Sequence, residues 1–587
     1  MVKFYMSKNQ RKSKTLHIYF QRSGIKKDVN YFCFPTNAMD EPLSNLDIPL
    51  SSKKNDNFKV LRASMLHAFG KFEKDCEIFY SSLNRLFYWV FMPLFRELNT
   101  LCEFLDLHDF DKVIVHGKVS HNYSAFINRG DESRPFLYFP ELLYPQWVVP
   151  ILQKNLEVEV KTTIKNIICG LFLVPFRNAL ILLAKIFLLI IQRCRFLISQ
   201  KKETLPKKSV DFLFLSRGLV SFEFFEKLSQ RLLETDKNSA IFLNLSLRHA
   251  LNDKMLKSKI RNSSVQVIDS NHYLNVKQIF SCLLVFFRRP KNVQTSISDG
   301  FNVIDVHLGG IIKEIDHAFP DTLIHRQLVA SALKSSSAKK TFSTELVSEY
   351  VYFERSAAQK RNVPYYTMQA FAFEPYDALE FVIGEGIILQ DKNLEGEVVK
   401  QFPNAKNKVF YFGDLNFKNT PNLNQELKRI VFFTQPYEYP KQIKILKLVC
   451  KVASQMDKDI IVIAKRHPRD KDKTIIKENN LHWVESGSTP NDRLISECDL
   501  VISRCSSVLH EVLMMNVPYL ACTFTEYEKN FKPPYLSEKL GVRVSNLNEL
   551  KTHLINFKVY RNNYHKLRKT FLKSSAKSFQ IKEFTQL

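Results

Sequence analysis

The sequence predicts an α/β chain containing two doubly wound, largely parallel sheets, preceded by an N-terminal α/β region. Three observations predict it. Between Lys428 and Phe557, short and almost wholly apolar segments alternate with helical ones, and strands apolar throughout belong in a parallel sheet covered on both faces. The same alternation starts at Val210 and runs to about Phe417. The chain has 587 residues, 45% hydrophobic and 25% charged, which gives it the length for several domains and too much apolar content for wholesale disorder.

Residues 1–160 hold apolar runs at Leu16–Phe20 and Lys112–His116 between helical stretches. Residues 161–208 contain the most apolar run of the chain and the basic stretch Lys201–Lys208, and act as a connector. Residues 209–420 open on VDFLFLSRG, a continuous apolar strand ending in a Gly turn, and form the first doubly wound domain. Residues 421–560 form the second. Its strands are RIVFFTQ, DIIVIAKRHP, LHWVES, DLVISRC, PYLACTF and GVRVS, interleaved with helices PKQIKILKLVCKVASQM, PNDRLISEC, SSVLHEVLMMN and LNELKTHLINF. The basic tail 561–587 is expected to be helical and to pack back or touch a membrane.

Lys and Arg number 85 against 59 Asp and Glu, a formal net charge of +26. Such a surplus attracts anions: nucleic acid, an anionic membrane face or a phosphate-bearing substrate. The cations are dispersed and bring no zinc-finger, basic-zipper or RNA-binding aromatic signature, so nucleic acid is not the expected partner. Gly is scarce, at 15 residues, which excludes Gly-rich chains and leaves little room for Gly-dependent phosphate loops. The ten Cys are scattered without a C-x-x-C pair and read as reduced thiols, neither a disulfide scaffold nor a zinc site. The basic start MVKFYMSKNQRKSK has no apolar stretch behind it, so no cleaved secretory signal is expected.

The run from Ile167 to Leu197 is interrupted by Arg177 and Lys185, and no uncharged stretch reaches the ~20 residues of a spanning helix. On a helical wheel Asn178, Lys185, Gln192, Arg193 and Arg195 gather on one side, with Leu180, Leu183, Phe187, Ile190 and Ile191 on the other. That division predicts an amphipathic membrane-associating helix lying in an anionic bilayer interface. It places the chain peripherally at the cytoplasmic face of the inner membrane; the alternatives are a buried core helix and, third, a true span.

In a doubly wound sheet, ligands bind beyond the carboxyl ends of the strands. In 421–560 those ends carry Gln435, then Arg466, His467 and Pro468, then Ser506 and Ser507, a polar, cationic and hydroxyl-rich set. Ser506 and Ser507 open a helix directly after a strand, a place for phosphate or simply for an N-cap. His467, with Arg466 beside it and Pro468 fixing the turn, makes a second phosphate-directed cluster. Glu511 faces the ribose of a nucleotide or solvent.

K-R-H-P followed by D-L-V-I-S-R-C-S-S-V-L-H-E resembles the paired His-Pro and Ser-Ser motifs of bacterial capsule and wall-polymer transferases. These include capsular Kdo transferases, polysialyltransferases and teichoic-acid glycerophosphate polymerases. The resemblance covers about residues 428–525. It implies the GT-B arrangement, two Rossmann-like domains facing a cleft, with 209–420 on the acceptor side and 421–560 binding the nucleotide. It also implies that His467, Ser506 and Ser507 contact the phosphate of a CMP- or CDP-linked donor, with Glu511 near the ribose. VIVHGKVSHNYSAF and FPELLYPQW echo further motifs of capsular Kdo transferases, with Lys118 in place of an Asp. Ala370 departs from the Gln-His-Gly of related enzymes.

The expected activity is inverting transfer of a sugar from a nucleotide-activated donor to a surface polysaccharide or lipid-linked acceptor. Such transfer needs a base for the acceptor hydroxyl and stabilisation of the departing phosphate. Candidate bases are Glu345, at the end of KTFSTE, Asp299 in SISDG, and Glu141. The three Asp-x-Asp pairs, at Asp109, Asp457 and Asp470, read as solvated turns, so neither a metal nor another cofactor is expected. Two rivals remain. His467 and Asp472 share the H-x-x-x-x-D spacing of lipid acyltransfer, and the charge also suits a non-enzymatic protein binding anionic membrane or nucleic acid.

Overall fold

The computed structural model describes the chain except residues 1–13, 21–24, 27, 35–42, 47–56, 71–76, 118–143, most of 165–208, 244–259, 261, 276, most of 281–292, 319–320, 345–347, 370–383, 419–425, 436–438, 468–475, 487, 526–527, 530 and 573–576. It forms two compact units. The first comprises Met1–Arg195, Leu274–His325 and Ser348–Phe353, the second Phe196–Tyr273, Arg326–Val347 and Glu354–Leu587. Residues 274–325, inside the range expected as the acceptor-side domain, thus group with the N-terminal unit.

The first unit opens with β1 (Thr15–Tyr19), β2 (Asn30–Cys33), β3 (Leu43–Ser44), β4 (Lys112–His116) and β5 (Glu157–Lys161). The second begins with β6 (Phe212–Ser216), β7 (Ser239–Leu243) and β8 (Gln266–Asp269). The hairpin β9 (Gln294–Ser298) and β10 (Val303–His307) belongs to the first unit. Then follow β11 (Lys340–Ser343), β12 (Tyr365–Met368), β13 (Gly386–Leu389) and β14 (Val409–Tyr411). The last six strands are β15 (Arg429–Phe433), β16 (Ile461–Lys465), β17 (Leu481–Val484), β18 (Leu500–Ser503), β19 (Tyr519–Cys522) and β20 (Arg543–Val544).

The first unit holds a five-stranded sheet in the order β3-β2-β1-β4-β5, parallel except where β3 runs against β2. Its core is aromatic, with Phe32, Phe34, Phe69, Phe91 and Trp147 buried.

The second unit holds both expected doubly wound sheets. Seven strands run in the order β14-β13-β12-β11-β6-β7-β8, every pairing parallel. Six run in the order β17-β16-β15-β18-β19-β20, again all parallel. Counted along the chain, the latter order is 3-2-1-4-5-6, the dinucleotide-fold arrangement, whose order reverses between its first and fourth strands. Covering explains why β18 and β19 are apolar throughout. All four residues of each are buried, because helices cover both faces of a parallel sheet.

The helix Tyr439–Met456 buries Ile445, Leu446, Val449, Cys450, Val452 and Ala453, the three-to-four-residue spacing of one face. The helix Val508–Met514 stops at Asn516, whose φ of +62° is left-handed; Asn tolerates that region, so it serves as a terminator. Arg568, from the helix Phe557–Leu572, donates from Nε to the carbonyl of Leu513 (2.7 Å) and from Nη2 to that of Met514 (3.2 Å). A cation thereby satisfies carbonyls left over at the helix end.

The tail packs back. The amide of Asp414 donates to the Lys577 carbonyl (2.9 Å), and that of Phe579 donates to the Asp414 carbonyl (3.1 Å). Phe579 and Phe584 then enter the core formed by Phe212, Phe214 and Phe342 of the seven-stranded sheet. Gly413 makes this approach possible: its φ is +93°, and a Cβ there would lie 2.5 Å from the carbonyl oxygens of both Lys577 and Ser578.

Candidate functional site

The reversal point of the six-stranded sheet lies between β15 and β18, and the expected site residues cluster around it. Phe433 pairs with Lys465 on one side and with Ser503 on the other, so the three strands end level. Neighbouring strands lie about 4.8 Å apart. The segments following β16 and β18 therefore flank the end of β15 at a separation of roughly 10 Å.

The turns are fixed by their own hydrogen bonds. Thr434 donates its amide to the Lys465 carbonyl (3.0 Å). Its hydroxyl accepts from the backbone N–H of His467 (2.8 Å). The hydroxyl of Ser503 donates to the Phe433 carbonyl (3.0 Å). His467 is thus held through its own main-chain N–H, and the residue is half-buried.

Ser506 is half-buried and Ser507 exposed. The helix begins later than expected, at Val508, and has seven residues. Ser507 occupies the N-cap with helical φ and ψ (−62°, −20°) and makes no side-chain cap bond. Ser506 takes that part instead, accepting from the Val508 N–H at 3.4 Å. Two turns of helix supply little dipole, so any hold on an anion here rests on the hydroxyls and turn amides.

Beneath the serines lies a buried ion pair. Arg504 is 1% exposed, and its Nε stands 2.5 Å from Glu528 Oε1. The second Glu528 oxygen accepts from the amides of Phe524 (2.9 Å) and Thr525 (3.0 Å), just beyond β19. The pair ties the turn after β18 to the turn after β19.

Two expected ligands are occupied otherwise. The Arg466 guanidinium lies 4.3 Å from the ring centroid of Trp483, on β17. Its Nε donates to Glu485 at 3.1 Å. Stacking and charge both draw it toward β17. Gln435 is buried and donates Nε2 to the Thr434 carbonyl (3.0 Å), while its backbone N–H donates to Gln442 Oε1 (2.6 Å). It shapes the loop after β15.

Asp299 also differs from its expected role as base. It belongs to the first unit, in the turn of the β9–β10 hairpin. Its buried carboxylate accepts from the amides of Phe301 (3.0 Å) and Asn302 (2.8 Å) and from Asn99 Nδ2 (2.8 Å). Those three donors make it a turn-holding group. Glu345, Glu141 and Pro468 lie outside the described residues, although the strand preceding Glu345 is present as β11.

Glu511 belongs to a titratable cluster beside the serines whose other members, Asp391, Asp414 and His510, no sequence pattern singles out. Asp391 follows β13, Asp414 follows β14, and His510 and Glu511 lie on the helix Val508–Met514. His510 Nε2 is 3.3 Å from Asp414 Oδ2, both side chains buried. Burial disfavours a charged His510. The Asp414 bond and the neighbouring Asp391 and Glu511 carboxylates outweigh burial and raise its pKa above the ordinary value. Burial likewise raises Asp391. Glu511 is pushed up to about 7, first by burial and further by Asp414 and Asp492, against the pull of Lys227 and His510. Near neutral pH it can either accept or donate a hydrogen bond. Lys465 donates Nζ to Asn491 Oδ1 (2.8 Å) and to the Thr489 carbonyl, and burial lowers its pKa.

Among the described residues no group of three or more His, Cys, Asp or Glu is placed to hold a metal ion.

No protein-family profile matches the chain, and no curated protein matches it in sequence. Among solved structures it is similar to UDP-GlcNAc 2-epimerase from Neisseria meningitidis bound to UDP-GlcNAc, with a TM-score of 0.41 and 12% identity over 62% of this chain and 98% of that one. It is also similar to MurG from Acinetobacter baumannii, with a TM-score of 0.35 and 9% identity over 64% and 98% of the two chains. A variant of the wall teichoic acid polymerase TagF gives a TM-score of 0.39 and 13% identity over 70% and 95%. Likenesses this distant leave the function to be argued from the chain's own geometry.

Proposed function

We propose that the chain is a glycosyltransferase that binds a nucleotide-activated sugar at the reversal point between β15 and β18. It passes the sugar to the hydroxyl of a glycan or lipid-linked acceptor. The observation that carries the reading is the 3-2-1-4-5-6 strand order, with His467 and the Ser506–Ser507 pair at the ends of the strands on either side of β15. A parallel sheet of this order binds ligands in that crevice.

The chemistry follows from those groups. The acceptor oxygen forms a bond to the anomeric carbon as the bond from that carbon to the donor phosphate oxygen breaks. The departing phosphate takes the electron pair. Donors aimed at that developing charge are worth more than in water, because they are already oriented. His467 and the hydroxyls of Ser506 and Ser507 are the groups assigned to it, with Glu511 near the ribose. Glu345 is assigned the acceptor proton, giving inversion. The donor favoured is CMP- or CDP-linked, and the acceptor a growing surface polysaccharide. No metal or other cofactor is assigned a step.

The test offers purified protein CMP- and CDP-sugars, acyl donors and short RNA in parallel. Release of CMP or CDP with sugar on the acceptor, reduced at least about a hundredfold in His467→Ala, supports the reading. Acyl transfer, or RNA binding without any response to nucleotide, overturns it.

A further inference from the structure

We infer that Asp414 is a positioning residue for the serine turn: its carboxylate, at the end of the seven-stranded sheet, pins His510 and through it the backbone that carries Ser506 and Ser507. Asp414 lies just after β14 and His510 in the first turn of the helix Val508–Met514, both in the second unit. They are 2% and 3% exposed, and His510 Nε2 stands 3.3 Å from Asp414 Oδ2. The other carboxylate oxygen accepts from the Asn416 amide (2.6 Å). With its amide and carbonyl bonded to the tail, all four polar atoms of Asp414 are engaged, and the carboxylate cannot turn from His510 without giving up a bond. On the far side, the His510 amide donates to the Ser507 carbonyl (3.0 Å) and the Leu509 amide to that of Ser506 (3.1 Å). One side chain and one hydrogen bond therefore separate the carboxylate from the serine backbone.

The helix needs such a pin. At seven residues it is too short to hold itself. Val508, Leu509, Val512 and Leu513 bury it in the core of the six-stranded sheet, but apolar attraction is non-directional and sets depth better than rotation. The Arg504–Glu528 pair fixes the strand side of the serine turn and Asp414–His510 the helix side. Burial opposes a charge on His510. The carboxylates facing it, Asp414 after β14, Asp391 after β13 and Glu511 on its own helix, outweigh burial and raise its pKa. A protonated donor makes the stronger bond. That the turn so placed holds a donor phosphate rests on the transfer reading; the placement itself does not.

Cys505, half-buried beside Ser506, reports on the turn, and the buried Cys450, Cys498 and Cys522 report on the sheet beneath it. The experiment follows labelling of each thiol by N-ethylmaleimide in the full chain, read by peptide mass spectrometry, and titrates the same proteins with CMP and CDP. His510→Leu should label at Cys505 about tenfold faster than wild type while the three buried thiols keep their rates. Asp414→Asn combined with His510→Gln puts a neutral amide pair in the same place, and should bring Cys505 back to within about twofold of wild type. The nucleotide should bind His510→Leu about tenfold more weakly and the double variant nearly as wild type. Unchanged Cys505 labelling in His510→Leu, faster labelling of all four thiols together, or a double variant as fast as the single overturns the proposal. So does equal nucleotide affinity in wild type and His510→Leu. If wild type binds neither CMP nor CDP while Cys505 responds as expected, the positioning role is supported and the transfer reading is the part that fails.

Discussion

Replacing Arg504 with Met tests whether the buried pair under the serine turn organises the site. At 2.5 Å and an effective dielectric constant of about 20, the gross attraction to Glu528 is about 7 kcal/mol. Desolvating both ions costs several kcal/mol each, so the intact pair gains little net stability over an apolar pair of the same shape. Removing one partner is different. Arg504→Met leaves a carboxylate that is 0% exposed without its cation, which costs about 3–5 kcal/mol. With a urea slope of about 3 kcal/mol/M, the midpoint should fall by about 1–1.7 M.

Adding Glu528→Gln removes the stranded charge. Its amide oxygen can still accept from the Phe524 and Thr525 amides, which Glu528 holds now. The double variant should therefore recover most of the loss, a departure from additivity of at least about 2–3 kcal/mol. The assay is urea unfolding followed by circular dichroism, with Trp483 fluorescence reporting on the same sheet. A midpoint within about 0.3 M of wild type for Arg504→Met, or a double variant as unstable as the sum of the singles, would show that the pair does not hold the turn.

Other outcomes follow from the same geometry. Glu511 has its folded pKa raised from 4.5 to about 7, and His510 is raised as well. Both hold protons more tightly when folded, so their stabilising contribution is present at low pH and lost as pH rises through those values. Glu511 accounts for up to roughly 3 kcal/mol of it. Glu511→Gln should flatten that slope in denaturation midpoints measured across the range. Asp299→Ala should cost about 1–3 kcal/mol by stranding hairpin donors while leaving nucleotide binding at wild-type strength, as titration calorimetry can show; a general base would lose turnover and keep stability. Phe584→Ala should cost about 3–5 kcal/mol, read as a lower urea midpoint.

Much of the second unit was legible in the sequence because burial leaves a clear mark there. β15, β18 and β19 are covered on both faces, so their residues are apolar without alternation, and the helix Tyr439–Met456 shows its buried face at regular spacing. The ends of those strands pointed to His467 and the serines. What the sequence hid depends on neighbours distant along the chain. Arg466 turns to Trp483 because β17 lies beside β16, and no local pattern states that pairing. Asp391, Asp414 and His510 meet across gaps in the chain longer than any periodicity spans. Asp299 was legible in principle: Asp-Gly between QTSIS and VIDVH is a hairpin signal, and Gly300 takes the left-handed φ of +93° that such a turn asks for.

The account stands on nucleotide binding between His467 and the serines, and ligand-induced stabilisation measures that directly. Melting of the full chain is followed with CMP, CDP, UDP and GDP, in wild type, His467→Ala and the Ser506→Ala, Ser507→Ala double variant. A nucleotide at a hundred times its dissociation constant adds about 2.7 kcal/mol. His467→Ala keeps the backbone N–H bonded to Thr434, so its own melting should be close to wild type. The account predicts the largest shift with cytidine nucleotides, lost in both variants. It is contradicted if no nucleotide raises the melting temperature, or if the variants respond as wild type does.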